Sequence, residues 1–166
     1  MFHIVVILLI VLSSLKWGSW NRWREFLPTI YYFSFFNMFY QYISYTVKAV
    51  WELEGFFVNM FVTDTLYTMV AYPCLVVLFL SDYPEEWRIK IVYYLKYIGV
   101  ATLAEWAAGE TDSIEYFEGW NLSWTVLFYC IMFPMLRLHY LNPAKALITS
   151  VFVVAFLLIS FDYHVL

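Results

Sequence analysis

Val5-Val6-Ile7-Leu8-Leu9-Ile10-Val11-Leu12 runs on without one polar residue. A transmembrane β-strand would alternate apolar and polar side chains over about ten residues, so this stretch reads as helix and not as part of a barrel. Comparable apolar blocks follow it, at about 26–49, 56–80, 89–108, 122–138 and 144–161, with the first at 2–15. The chain is 64% hydrophobic and only 13% charged. Soluble domains are about half apolar and about a quarter charged, which excludes that class. A bilayer core about 30 Å thick asks for about 20 apolar residues per helix, and no stretch is left over for a separate aqueous domain. The expected fold is therefore all-α: a polytopic transmembrane helical bundle of six spans, forming a single domain over 1–166.

The first block is short for a span and has the length of a signal-peptide core. No basic residue precedes it, however, and Lys16, Arg22 and Arg24 come after it. We expect a first span with the N-terminus outside, and five spans as the fallback.

Charge fixes the expected orientation, because Lys and Arg concentrate in cytoplasmic loops. Lys16, Arg22, Arg24, Arg88, Lys90, Lys96, Arg137 and Lys145 all fall in or beside the first, third and fifth connections, and only Lys48 does not. The fourth connection holds Glu110, Asp112, Glu115 and Glu118 with no basic residue. The basic loops are then cytoplasmic, and with six spans both termini lie outside. The net charge of −4 conceals this polarity, and it does not imply nucleic-acid binding. Trp17, Trp20, Trp23, Trp51, Trp87, Trp106, Trp120 and Trp124 flank span ends, as interfacial belts do. Cys74 and Cys130 fall inside spans at different depths and are expected as free thiols. No zinc spacing, phosphate loop or nucleophile elbow occurs, so neither a cofactor nor a metal is expected.

Polar residues inside the blocks are the candidates for function. Ser34, Asn37, Gln41, Ser44 and Lys48 recur at intervals of three and four, a single stripe along one helix. Lipid cannot satisfy an amide, so the stripe serves either as interhelical glue or as one wall of a polar cavity. Asp64, Glu105 and Asn121 enter from three other helices at a similar outer depth, with Trp124 beside Asn121. An ionised side chain in a bilayer is normally paired or functional. A salt bridge from Lys48 to Asp64 or Glu105 is the structural expectation, leaving one acid over. The candidate ligand site is Lys48, Asp64, Glu105, Asn121, Gln41, Asn37 and Trp124. At the inner end Arg137 and His139 form a basic collar that suits anionic lipid headgroups or ordinary contact with water.

Trp120-Asn121-x-x-Trp124 and the run Met132-Phe133-Pro134-Met135-Leu136-Arg137-Leu138-His139-Tyr140 resemble a family of small multi-pass membrane proteins of spore-forming Firmicutes. Trp51-Glu52, Asp64, Pro73, Tyr83-Pro84 and Glu105 fall at similar places, and the likeness covers most of the chain after the first span. Its one fairly specific motif is Phe-Pro-x-x-Arg-x-His-Tyr. That family has no assigned activity, so the resemblance implies a bacterial cell membrane location and adds weight to Asp64, Glu105, Asn121, Arg137 and His139, with no mechanism.

Three readings remain open from the residues. The first is an outward-facing polar pocket, binding or transport-like, for a small cation, a proton or an amine. The second is an accessory subunit packed against another membrane protein or a second copy of itself. The third is a membrane enzyme acting on a lipid, with Glu105 or Asp64 as acid–base and Arg137 on phosphate.

Overall fold

The computed structural model describes residues 1–54 and 59–163. It has six helices: α1 (Phe2–Trp17), α2 (Trp23–Thr46), α3 (Met60–Ser81), α4 (Trp87–Glu110), α5 (Leu122–Leu141) and α6 (Pro143–Ser160). They follow the six apolar blocks; the start of the third block, at Phe56, lies outside the described residues. A two-stranded antiparallel ribbon joins β1 (Trp51–Leu53) to β2 (Ile114–Tyr116). All-α architecture agrees with the sequence, whereas the ribbon was not foreseen.

Among the described residues three helices are long and apolar enough to cross a membrane: α3, α5 and α6. A fourth span counts only if α1 and α2, whose axes are bent by 89° at the Gly18–Ser19 break, are taken as one. The reasons are local. Helix α1 has 16 residues, fewer than the roughly 20 a bilayer core needs. Helix α2 carries Arg24 and Glu25 besides its polar stripe, and α4 carries Arg88, Lys90, Lys96, Glu105 and Glu110. The chain is thus compatible with a membrane location on at least three helices.

Helix α5 is central, packing against α2, α4 and α6. The main core joins α2, α3 and α5 through Phe26, Phe33, Val76, Val77, Phe79, Leu80, Met132, Phe133 and Leu136. Phe79 sits at its middle, with ring centroids 5.2 Å from Phe133 and 5.1 Å from Tyr97. A smaller cluster of Val50, Trp120 and Phe161 seals the ribbon end. Tyr40 binds the ribbon to α2, its hydroxyl donating to Trp51 O at 2.6 Å and accepting from Trp51 N at 3.1 Å.

Helix α1 lies along α3 in the same sense. His3 meets Tyr67 near one end, and Ser19 meets Ser81 at the other. Gly18 is needed at that crossing, because a Cβ there would press on Ser14 O and on Val77. Within α3, the turn Tyr67–Ala71 is π-helical, with Tyr72 N donating back to Tyr67 O. Pro73 explains its place: lacking an N–H, it cannot donate to Met69, and its ring crowds that carbonyl, so the turn before it widens.

Burial of the Phe79 ring against two helices predicts that Phe79→Ala lowers stability by about 3 kcal/mol in reversible detergent unfolding. Leu103→Ala, at an exposed position on α4, is expected to leave the transition close to that of the parent.

Candidate functional site

Three side chains of the α2 stripe converge on one residue of the π turn. Asn37 Nδ2 donates to Thr68 Oγ1 at 2.6 Å, Gln41 Nε2 to the same oxygen at 3.1 Å, and Ser34 Oγ to Thr68 O at 3.3 Å. Thr68 Oγ1 in turn donates to Asp64 O at 2.7 Å. Its one donor and both acceptor positions are used, so the node is complete. Asn37 and Gln41 therefore knit α2 to α3, and Ser44 lies further along the stripe.

Asp64 sits one turn from this node, toward the ribbon. Its Oδ2 accepts from Tyr45 OH at 2.7 Å. Together with Gln41, Ser44, Tyr45 and Glu52 it lines a cleft of about 10 Å³, room for one water-sized group. Glu52 stands directly opposite Glu115 in the ribbon, and like charges so placed repel.

The expected salt bridge from Lys48 to Asp64 or Glu105 is not formed. Lys48 Nζ lies 2.8 Å from Glu118 Oε2 and 5.3 Å from the Tyr163 ring centre. Lys48 falls beyond Thr46, the last residue of α2, so it leaves the face that the stripe predicted. The ribbon continues through Phe117 N to Val50 O, and this brings Glu118 to Lys48. Among the described residues neither Asp64 nor Glu105 has a basic partner.

Glu105 is instead held by hydroxyls from two elements. Tyr116 OH on β2 donates to Oε1 at 2.9 Å, Thr125 Oγ1 on α5 donates to Oε1 at 2.6 Å, and Tyr129 OH donates to Oε2. Thr125 also accepts from Trp120 Nε1 at 2.9 Å. Burial, and then the neighbouring Glu105 carboxylate, push the Tyr116 hydroxyl up from the ordinary phenol range, so it remains a donor at neutral pH.

The remaining candidates lie apart. Asn121 is exposed and caps α5, accepting from Ser123 N at 2.9 Å and Trp124 N at 3.3 Å, a local role. Trp124 belongs to the aromatic cluster with Trp120 and Phe161, at ring distances of 6.1 and 4.9 Å. His139 does not form a collar with Arg137. It is buried, with Nδ1 at 3.0 Å from Thr29 Oγ1 and its ring stacked on Tyr32 at 4.1 Å. Arg137 lies over Tyr83. Sequence reasoning missed Tyr45, Tyr116 and Tyr129 as acid partners; the i, i+4 pair Thr125 and Tyr129 was the available signal.

Among the described residues no three His, Cys, Asp or Glu side chains are grouped to hold a metal ion. Comparison with protein families, curated proteins and solved structures finds no match to this chain.

Because Thr68 Oγ1 is the partner of both amides, Thr68→Val should cost about 1–2 kcal/mol in detergent unfolding by stranding Asn37 and Gln41. Thr68→Ser keeps the hydroxyl and is expected to behave like the parent.

Proposed function

We propose that the chain is a six-span protein of a bacterial cell membrane whose outward face binds a small monovalent cation, or the ammonium group of an amine, at Asp64. The Firmicutes resemblance supports the bacterial location. Orientation rests on the charge rule: the end carrying Arg22, Arg88, Lys90, Arg137 and Lys145 is cytoplasmic, and the ribbon end is external. The internal geometry supports this topology. His3 at the start of α1, the second and fourth connections, and Phe161 after α6 all meet at the ribbon end.

The observation that carries the reading is the Asp64 carboxylate, which has one hydroxyl donor and no basic partner among the described residues. A partly buried anion needs a counter-charge or a proton. The cleft admits a group the size of water, so a larger amine would enter by its ammonium alone. The opposed Glu52 and Glu115 add negative potential beside it. Glu105, with three hydroxyl donors, is better satisfied. One lipid-directed active centre using both Glu105 and Arg137 is disfavoured: Thr125, bonded to Glu105, and Arg137 are separated along α5 by roughly 18 Å at 1.5 Å per residue.

Ammonium or sodium ions should raise the thermal midpoint of the purified parent in a saturable way, measured at constant ionic strength and pH. Lys48→Met is expected to retain that response and Asp64→Asn to lose it. An undiminished response in a folded Asp64→Asn protein contradicts the assignment.

A further inference from the structure

At the opposite end of the bundle, Arg137 presents a cation that forms no ion pair among the described residues. It leaves α5 one turn before the helix ends at Leu141, and its guanidinium carbon lies over the Tyr83 ring at 4.2 Å, with Tyr140 at 5.2 Å. Its Nε is buried without a hydrogen-bond partner, and the whole guanidinium makes no hydrogen bond or ion pair among the described residues. Acids are near in sequence but not used: Asp82, Glu85 and Glu86, on either side of Tyr83, are exposed and none pairs with Arg137.

The rings that hold Arg137 are themselves fixed. Tyr83 OH donates to Tyr94 OH at 2.9 Å, and the Tyr83 ring packs 6.0 Å from Phe79 in the core. On the other side Tyr140 lies 5.8 Å from Phe26, and Arg22 lies over Phe26 at 5.4 Å. Arg22, Phe26, Tyr140 and Arg137 thus form a ladder with a guanidinium at each end. Glu25 is the acid in contact with it, 3.9 Å from Arg22 and 3.5 Å from Tyr140 OH. The ladder with its two guanidinium groups thus touches one exposed carboxylate, and Asp82, Glu85 and Glu86 nearby form an ion pair with neither among the described residues.

We infer that Arg137, stacked on Tyr83 and backed by Arg22, binds a phosphate group at the basic end of the bundle. Guanidinium is suited to this because its planar N–H groups match paired phosphate oxygens, and with Nε buried it is the two terminal nitrogens that a phosphate would meet. An arginine one turn from a helix end stands at headgroup level, where anionic phospholipids of the cytoplasmic leaflet are the nearest source. Free inorganic phosphate offers the same chemistry from water. The site is separate from the Asp64 cleft and shares with it only the membrane orientation.

The test compares thermal midpoints of the full chain in three settings: zwitterionic phosphatidylcholine nanodiscs, the same discs containing phosphatidylglycerol, and the zwitterionic discs with added inorganic phosphate against equal chloride. Stabilisation by phosphatidylglycerol alone assigns the group to a lipid, and stabilisation in the phosphate arm assigns it to the soluble anion. Arg137→Gln should weaken either effect about tenfold in apparent affinity, the loss of one charge-assisted contact. Arg137→Lys, which keeps the charge and loses the fork, should fall between. No stabilisation of the parent in either arm overturns the inference, a result that does not depend on whether a variant folds. Equal stabilisation of parent and Arg137→Gln overturns it as well.

Discussion

Three residue pairs of the ribbon, Trp51 with Tyr116, Glu52 with Glu115 and Leu53 with Ile114, determine which charges meet at that end of the bundle. Two connections that are far apart in sequence are fixed in register by these pairs. Lys48 precedes β1 and Glu118 follows β2, so the register sets one against the other. Asp64 then keeps only the Tyr45 hydroxyl, and Glu105 keeps three hydroxyls, one of them from β2 itself. A slip of one residue would turn every ribbon side chain to the other face and undo this distribution. Val50, Trp120 and Phe161 pack behind the ribbon and resist such a slip.

Below the ribbon the same economy operates through neutral groups. A polar atom buried among helices costs free energy unless it is bonded, and in lipid no water is available to help. Pro73 opens a π turn, the turn contains Thr68, and Thr68 receives the amides of Asn37 and Gln41. The stripe on α2 therefore reads as glue over its middle and as a cleft wall only where Ser44 and Gln41 approach Asp64. Wide turns of this kind recur at functional sites, and here the turn carries the node, one helical turn from the acid.

Much of this was legible from the residues because long-period signals are local. Apolar run length gave six helices, the three-and-four spacing gave the α2 stripe, and Pro73 marked a distortion in α3. What was not legible depends on contacts distant in sequence. A three-residue strand such as Trp51–Leu53 has no periodicity to read, so Lys48 was assigned to the wrong acid. Tyrosines looked like interfacial or core rings because their apolar bodies dominate composition, yet Tyr45, Tyr116 and Tyr129 act through their hydroxyls. His139 was grouped with Arg137 by proximity in sequence. Their positions two residues apart on a helix point them to different neighbours, His139 to α2 and Arg137 to Tyr83. Asn121 was drawn toward a pocket although an Asn immediately before an apolar helix is first of all a cap.

Among the described residues, a carboxylate without a basic partner lies beside the ribbon and a guanidinium without an acidic one lies beside Tyr83. The claim on which the functional proposal stands is that Asp64, not Glu118, is the anion open to a ligand. Carboxyl carbon-13 resonances of the selectively labelled protein, followed while ammonium is added at fixed pH and ionic strength, report on it directly. Asp64 should move along a saturating curve while Glu118, occupied by Lys48, stays in place. An unmoved Asp64, or a Glu118 signal that titrates in its stead, would contradict it.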